Sequence, residues 1–369
     1  MGKLNELATQ GQAIWLDFVD RKFLEAGGLK KLVEEDGVTG VTSNPTIFQK
    51  AMGEGTAYDQ SLAEFDRTHP GAPAMDRYEH LAIQDIKAAA ETLAPVYERL
   101  NGKDGYVSLE VSPYLANDTD ATIAEAQKLW KLVDRPNLMI KIPGTPAGVP
   151  AIAATIAAGI NVNVTLLFSQ RAYQQVALAY VEGLEQRVSR GEPIDRIASV
   201  ASFFVSRIDS KIDDAIDAGK GGEAAKALKG KVAIANAKLA YAWYQEFIAS
   251  DRWKALAAKG AQPQRLLWAS TGTKNPDYPD TLYIDTLIGP DTVNTVPPKT
   301  LDAFRERGTV ARTLDMDLDE ARHVMAEVDR LGLDLADVTD TLVEEGVASF
   351  SKSFDELLAS IAAKHPADA

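Results

Sequence analysis

The chain contains no cysteine. Disulfides, thiolate zinc sites, iron–sulfur clusters and a cysteine nucleophile are therefore excluded. Histidine is scarce, with only His69, His80, His323 and His365. None stands in an H-E-x-x-H or H-x-H pattern, so no metal site is expected. No run approaches the ~18 apolar residues of a membrane span. The N-terminal MGKLNELATQ lacks the apolar stretch of a secretory signal. Positive charge is outnumbered, 39 Lys and Arg against 53 Asp and Glu, for a net charge of −14. That balance disfavours nonspecific binding to nucleic acid or to an anionic membrane. The expectation is a cytoplasmic protein with neither as a partner. An anionic substrate would need a local basic pocket.

What is present is ordinary globular composition: 369 residues, 46% apolar and 25% charged. The length allows two domains or one large α/β barrel. Eight short apolar or β-branched runs read as strands: AIWLDFV (13–19), GVTGVTSN (37–44), YVSLEVS (106–112), LMIKIPG (138–144), INVNVTLLF (160–168), ASVASFFV (198–205), RLLWAS (265–270) and DTVNTVPP (291–298). Helical spacing fills the stretches between them. Ile123, Ala126, Leu129, Trp130 and Val133 share one face. Ala172, Val176, Tyr180, Leu184 and Val188 share another. Asn117-Asp118-Thr119 and Ser169 stand where helix caps belong.

Strand and helix alternating eight times mean parallel pairing with helical crossovers. An open doubly wound sheet usually carries a glycine phosphate loop after its first strand. Here that strand ends in Asp17-Phe18-Val19-Asp20. The count and the length favour an α/β fold of the (β/α)₈ TIM barrel type with extra helices. Residues 1–310 are expected to form the catalytic barrel. Residues 311–369 are expected to form a C-terminal helical extension packed on it. In that extension Val347, Phe350, Phe354, Leu357, Leu358 and Ile361 make one apolar face, read as packing on the barrel, with a subunit contact as the alternative. Residues 48–80 form a long excursion after the second strand, and 218–231 a flexible connection between helices. Gly219-Lys220-Gly221-Gly222-Glu223-Ala224 matches G-x-G-x-x-A only formally, because a helical pattern precedes it rather than a strand.

Chemistry in such a barrel sits at the C-terminal ends of the strands. Three strands carry a lone charge near that end: Asp17, Glu110 and Lys141. Charged side chains are rarely buried without a partner. A desolvated lysine can present a neutral amine, a nucleophile toward ketones. Neighbouring carboxylates can then move the protons of carbinolamine dehydration and C–C cleavage. The competing reading is a buried ion pair that only satisfies itself. Thr42, Ser43 and Asn44 end the second strand. Asn163 and Thr165 alternate on the fifth with Val162, Val164 and Leu166 outward, either as site residues or as a hydrogen-bonded interior layer. Arg207 follows the sixth strand, and Ser270-Thr271-Gly272-Thr273-Lys274 follow the seventh. Such groups suit a phosphate dianion. Alternatively, Arg207 pairs with Asp209 or Asp213, and Lys274 is a solvated loop charge.

At these residues the sequence resembles the transaldolases, in their longer bacterial branch. The resemblance is carried by Trp15-Leu16-Asp17, by 40–48 (GVTSNPTIF), by 107–111 (VSLEV) and by 136–144 (PNLMIKIPG). It continues through 161–169 (NVNVTLLFS), 200–207 (VASFFVSR) and 267–272 (LWASTG). It implies a barrel enzyme without cofactor or metal, a monomer or homodimer acting on sugar phosphates in the pentose phosphate pathway. A dihydroxyacetone unit would pass between sedoheptulose 7-phosphate plus glyceraldehyde 3-phosphate and erythrose 4-phosphate plus fructose 6-phosphate. By the same resemblance Lys141 is the Schiff-base lysine, and Asp17 the acid–base group at the C4 hydroxyl. Glu110 works through a water held by Thr165. Asn44, Asn163, Thr42 and Ser202 hold the dihydroxyacetone unit, Arg207 and Ser270 anchor phosphate, and Phe204 is the aromatic residue near the reacting centre. Two segments depart from many relatives. Ser112-Pro113-Tyr114 replaces an acid followed by arginine, and Lys274 would have to substitute for a phosphate-binding arginine. The alternatives are an aldolase that releases free dihydroxyacetone, a silent sugar-phosphate-binding barrel and a magnesium-dependent barrel enzyme.

Overall fold

A computed structural model describes residues 2–364, so His365 lies outside the described residues. Eight parallel strands close into one barrel in chain order. They are β1 (Gln12–Leu16), β2 (Gly40–Val41), β3 (Tyr106–Glu110), β4 (Leu138–Pro143), β5 (Val162–Leu167), β6 (Ser199–Phe204), β7 (Arg265–Ala269) and β8 (Thr292–Val296). Seven fall within the expected runs, and β1 starts one residue before its run, at Gln12. Pairing of β1 with β8 closes the barrel and rules out the open sheet.

The second run yields much less strand than 37–44 suggests. Only Gly40 and Val41 are in the ladder. Asn44 turns out to cap the helix Pro45–Gly53, accepting from the Ile47 amide, with Pro45 at the first helical position. Gly40 has a steric reason to be glycine. A Cβ there would lie 2.3 Å from the Trp15 indole. Trp15 itself donates to Asp104 at 2.9 Å, and Asp104 also holds Thr39 and Arg265. This buried polar cluster sits below the level of the strand-end residues.

The expected caps form, with Asp118 and Ser169 accepting from Ala121 and Ala172. Alternation on β5 fails at one point. Leu166 has a left-handed backbone (φ 59°), and the register with β6 shifts between Val164 and Leu167. The G-x-G-x-x-A match follows the helix Ser206–Asp217, which removes the strand that a nucleotide loop needs.

Two helices end the described chain. Leu318–Arg330 packs against the helix Val232–Ile248. Leu335–Lys364 contacts the helices Pro45–Gly53, Ala74–Arg99 and Ser206–Asp217, and also β5. Phe350, Phe354, Leu357 and Ile361 are buried along it, while Val347 and Leu358 are half-buried against the core. This last helix thus crosses the C-terminal end of the barrel. Among the described residues no helix is long and apolar enough to cross a membrane.

Candidate active site

Strand pairing sets the first layer of the site. Glu110 on β3 is directly opposite Lys141 on β4, and Lys141 is directly opposite Asn163 on β5. Strand alternation turns all three to the barrel interior. The Lys141 amine donates to the Ser43 carbonyl at 2.9 Å and lies 3.5 Å from Glu110 Oε2. Both side chains are nearly inaccessible, at 6% and 4%. Removing such a pair from water costs several kcal/mol per ion. Burial pushes the Glu110 carboxyl above its usual range, against the pull of Lys141. The Glu110 oxygens and the Thr165 hydroxyl have no hydrogen-bond partner among the described residues. They retain acceptor and donor capacity for a substrate or water.

Above this layer lies a cavity of about 140 Å³. Asp17, Thr42, Asn44, Lys141, Ser202, Phe204, Arg207, Ser270 and Lys274 all line it. These are nine of the twelve residues singled out from sequence, drawn from the ends of five strands and the loops that follow them. Asp17 accepts from the Thr42 hydroxyl at 2.6 Å. Enclosure raises its pKa, while Lys141, Thr42, Arg207 and Lys274 draw it down. A carboxyl held in this way can both release and recover a proton.

Glu110, Asn163 and Thr165 are not on the cavity wall. Both ends of the Asn163 amide are engaged: Nδ2 donates to Ser108 Oγ at 3.0 Å, and Oδ1 accepts from Ser202 at 2.7 Å. Asn163 therefore belongs to a hydrogen-bonded interior layer that fixes the Ser202 hydroxyl at the cavity. Glu110 also borders a second, narrow void, with Ser112, Tyr78, Glu79 and Glu125.

The cationic end is formed by Arg207 and Lys274. The guanidinium carbon of Arg207 lies 5.2 Å from the centre of the Phe204 ring. Its charge is not absorbed by Asp209 or Asp213 on the same helix. Asp209 instead accepts from Tyr283 and the Ala233 amide, and Asp213 from Tyr278 and the Gly230 amide. Lys274 is an exposed residue whose amine end is partly enclosed. That enclosure lowers its pKa, and Arg207 and Lys50 add to the effect. Ser270 holds a left-handed backbone (φ 54°), with its hydroxyl 3.0 Å from that of Ser206. A non-glycine residue in that region stores strain, which tends to concentrate at functional sites.

Sequence reasoning missed three contributors. Thr295 on β8 lines the cavity and lies 2.7 Å from Thr42 Oγ1. Strand alternation in DTVNTVPP could have found it. Lys50 carries no local signal. Phe350 lines the cavity from the last helix, where the apolar spacing pointed only to packing on the barrel or to a subunit contact.

A paired lysine and carboxylate in a barrel wall, beside a second carboxyl and a cationic pocket, is an arrangement for Schiff-base chemistry on an anionic carbonyl compound. The sequence profile of the transaldolase/fructose-6-phosphate aldolase family matches residues 14–361. The chain belongs to that family. Its relatives span it almost end to end. The transaldolase of Thermobifida fusca is 50% identical over 360 residues, covering 97% of each chain. That of Trichodesmium erythraeum is 47% identical over 370 residues, 98% of this chain and 97% of the relative. That of Thiobacillus denitrificans is 49% identical over 361 residues, 98% of this chain and all of the relative. The family's match runs through the last helix, so the crossing segment falls within it.

Proposed function

We propose that this family member is a transaldolase. It transfers a dihydroxyacetone unit from sedoheptulose 7-phosphate to glyceraldehyde 3-phosphate, giving erythrose 4-phosphate and fructose 6-phosphate in the pentose phosphate pathway. The observation that carries the reading is the Lys141 amine, 3.5 Å from Glu110 and lining one cavity with Asp17, Arg207 and Lys274.

The residues divide the work as follows. Lys141 attacks the ketose carbonyl carbon. Glu110, with Thr165 and a water, carries protons as the carbinolamine loses its hydroxyl to form the imine. Asp17 takes the C4 hydroxyl proton, the C3–C4 bond breaks, and its electrons pass into the imine to leave an enamine on Lys141. The aldehyde departs, the acceptor aldehyde enters, and the same steps run backward with Asp17 as acid. Thr42, Asn44 and Ser202 hold the dihydroxyacetone hydroxyls, with Asn163 fixing Ser202. Arg207, Ser270 and Lys274 hold the phosphate. Phe204 shields the reacting carbons. The same reading takes the enzyme as cytoplasmic, a monomer or homodimer, and independent of cofactor.

The test is borohydride reduction in the presence of fructose 6-phosphate, followed by peptide mapping. The expected result is a reduced dihydroxyacetone adduct on Lys141, absent from Lys141→Ala, with transfer lost in that variant. A folded Lys141→Ala protein that still transfers would overturn the reading.

A further inference from the structure

The last helix, Leu335–Lys364, is fastened on several sides of the cavity mouth. Glu345 pairs with Lys211, on the helix after β6, at 2.5 Å. Ser353 Oγ lies 2.8 Å from Thr46 Oγ1, on the helix after β2. Asp355 accepts from the Tyr114 hydroxyl in the turn after β3. Lys364 donates to the carbonyls of Met52 and Gly55 at 3.2 and 2.6 Å. Gly346 is seated on β5, where a Cβ would lie 2.8 Å from Leu166 Cδ2. Each exposed tie is worth little alone. Together with the buried face they hold one stretch of helix over the mouth. That stretch presents Phe350, 3% exposed, to the same cavity as Lys141, Asp17 and Arg207. One turn on, Phe354 packs edge-on against Tyr78 and Tyr114, with ring centres 5.0 and 5.5 Å apart.

The enamine on Lys141 has two fates. Its C3 can attack the acceptor aldehyde carbon, which is transfer. Alternatively C3 can take a proton and water can add to the resulting iminium carbon, which frees dihydroxyacetone and the Lys141 amine. The net second reaction is cleavage of fructose 6-phosphate into dihydroxyacetone and glyceraldehyde 3-phosphate, with all atoms accounted for. Both routes end with water adding to an iminium carbon to free Lys141. Only release first needs a proton delivered to C3 of the enamine, the C4 hydroxyl proton held by Asp17 and relayed by water in the cavity. An apolar ring over the cavity lowers access of water to the intermediate without altering the acid–base groups.

We propose that Phe350, carried to the cavity by the fastened C-terminal helix, determines reaction specificity by keeping water from the enamine. It thereby favours transfer over release of dihydroxyacetone. The proposal rests on the Schiff-base reading above.

The experiment uses the full-length enzyme with fructose 6-phosphate, with and without erythrose 4-phosphate. It measures free dihydroxyacetone released against sedoheptulose 7-phosphate formed, with borohydride trapping alongside. Phe350→Ala is expected to raise the release-to-transfer ratio roughly tenfold while the Lys141 adduct still forms. Phe350→Leu, which keeps an apolar cover, should fall between. A Thr46→Val, Tyr114→Phe, Lys211→Met triple variant removes three of the ties together and loosens the helix outside the cavity. It should move the ratio in the same direction, and it carries the test if Phe350→Ala does not fold. Adducts in every variant with an unchanged ratio overturn the proposal alone. No adduct in the unaltered enzyme removes the Schiff-base reading, and this proposal with it.

Discussion

Glu110 and Lys141 occupy directly opposed positions on β3 and β4, with the carboxylate 3.5 Å from the amine. Asp17, just past the end of β1, lines the same cavity as Lys141, and its charge is one of the influences that raise the Glu110 carboxyl. Two carboxyls near one amine, Glu110 buried and Asp17 half-buried, can share proton transfer by task, one serving the imine and one the C4 hydroxyl.

That division predicts a dissociation between two isosteric variants. Asp17→Asn should still yield the borohydride adduct with fructose 6-phosphate, and single-turnover aldehyde release should slow by roughly 10²–10⁴-fold. Glu110→Gln should slow adduct formation itself. Rapid-quench trapping separates the two. If Asp17→Asn blocks the adduct while Glu110→Gln does not, the roles are reversed.

The cationic end predicts unequal losses. Arg207 is half-buried against the Phe204 ring, and its planar fork suits a phosphate. Arg207→Ala should raise KM for phosphorylated substrates by roughly 10–100-fold. Exposed Lys274 should matter by about 2–10-fold, with the larger salt dependence. Steady-state kinetics on fructose 6-phosphate at two ionic strengths read both effects. Equal losses would show that Lys274 fully replaces an arginine.

Much of this site was legible because chemistry violates pattern. A charge inside an apolar strand is conspicuous, and Asp17, Glu110 and Lys141 stand out for that reason. The eight strands were legible because β-branched runs are separated by helical spacing. What was hidden depends on distance in sequence. Helical periodicity marks Phe350 as apolar, yet it cannot distinguish a residue packed on the barrel wall from one over its mouth. The loss of strand after Val41 follows from Asn44 capping a helix, a local signal overridden by the β-branched run before it. The Asp104 cluster joins Trp15, Thr39 and Arg265, and no spacing rule brings these together. Asn163 had two readings in sequence, and only its bonds to Ser108 and Ser202 place it in the interior layer.

Gly40 predicts a packing cost that owes nothing to chemistry. A methyl group at this position would meet the Trp15 ring at 2.3 Å, in a barrel wall with no room to yield. Gly40→Ala should destabilise the fold by about 1–3 kcal/mol, as overpacking does. The urea midpoint would fall with little change in slope. An unchanged midpoint would mean that the indole can shift at no cost, and that Asp104 does not hold it in place.

Asp209 predicts a pH dependence of stability. Its carboxyl is buried beneath Tyr283 and the Ala233 amide, and its pKa is pushed from 3.8 up to about 7, chiefly by desolvation. The folded chain therefore retains a proton that the unfolded chain gives up above pH 3.8. Below that pH both states are protonated, and the contribution to stability is fully present. As pH rises toward 7 the unfolded state gains by ionising and the folded state does not, so stability falls. Above the folded pKa both states are ionised and the loss levels off. At about 1.4 kcal/mol per unit the full loss is on the order of 4 kcal/mol. Asp209→Asn removes the titration and retains an oxygen for the amide. Its melting temperature should therefore gain on that of the unaltered chain between pH 4 and 7 and then hold a constant lead. A difference that is flat across this range would mean that Asp209 is ionised in the folded state throughout, with its two donors sufficient to keep the charge buried.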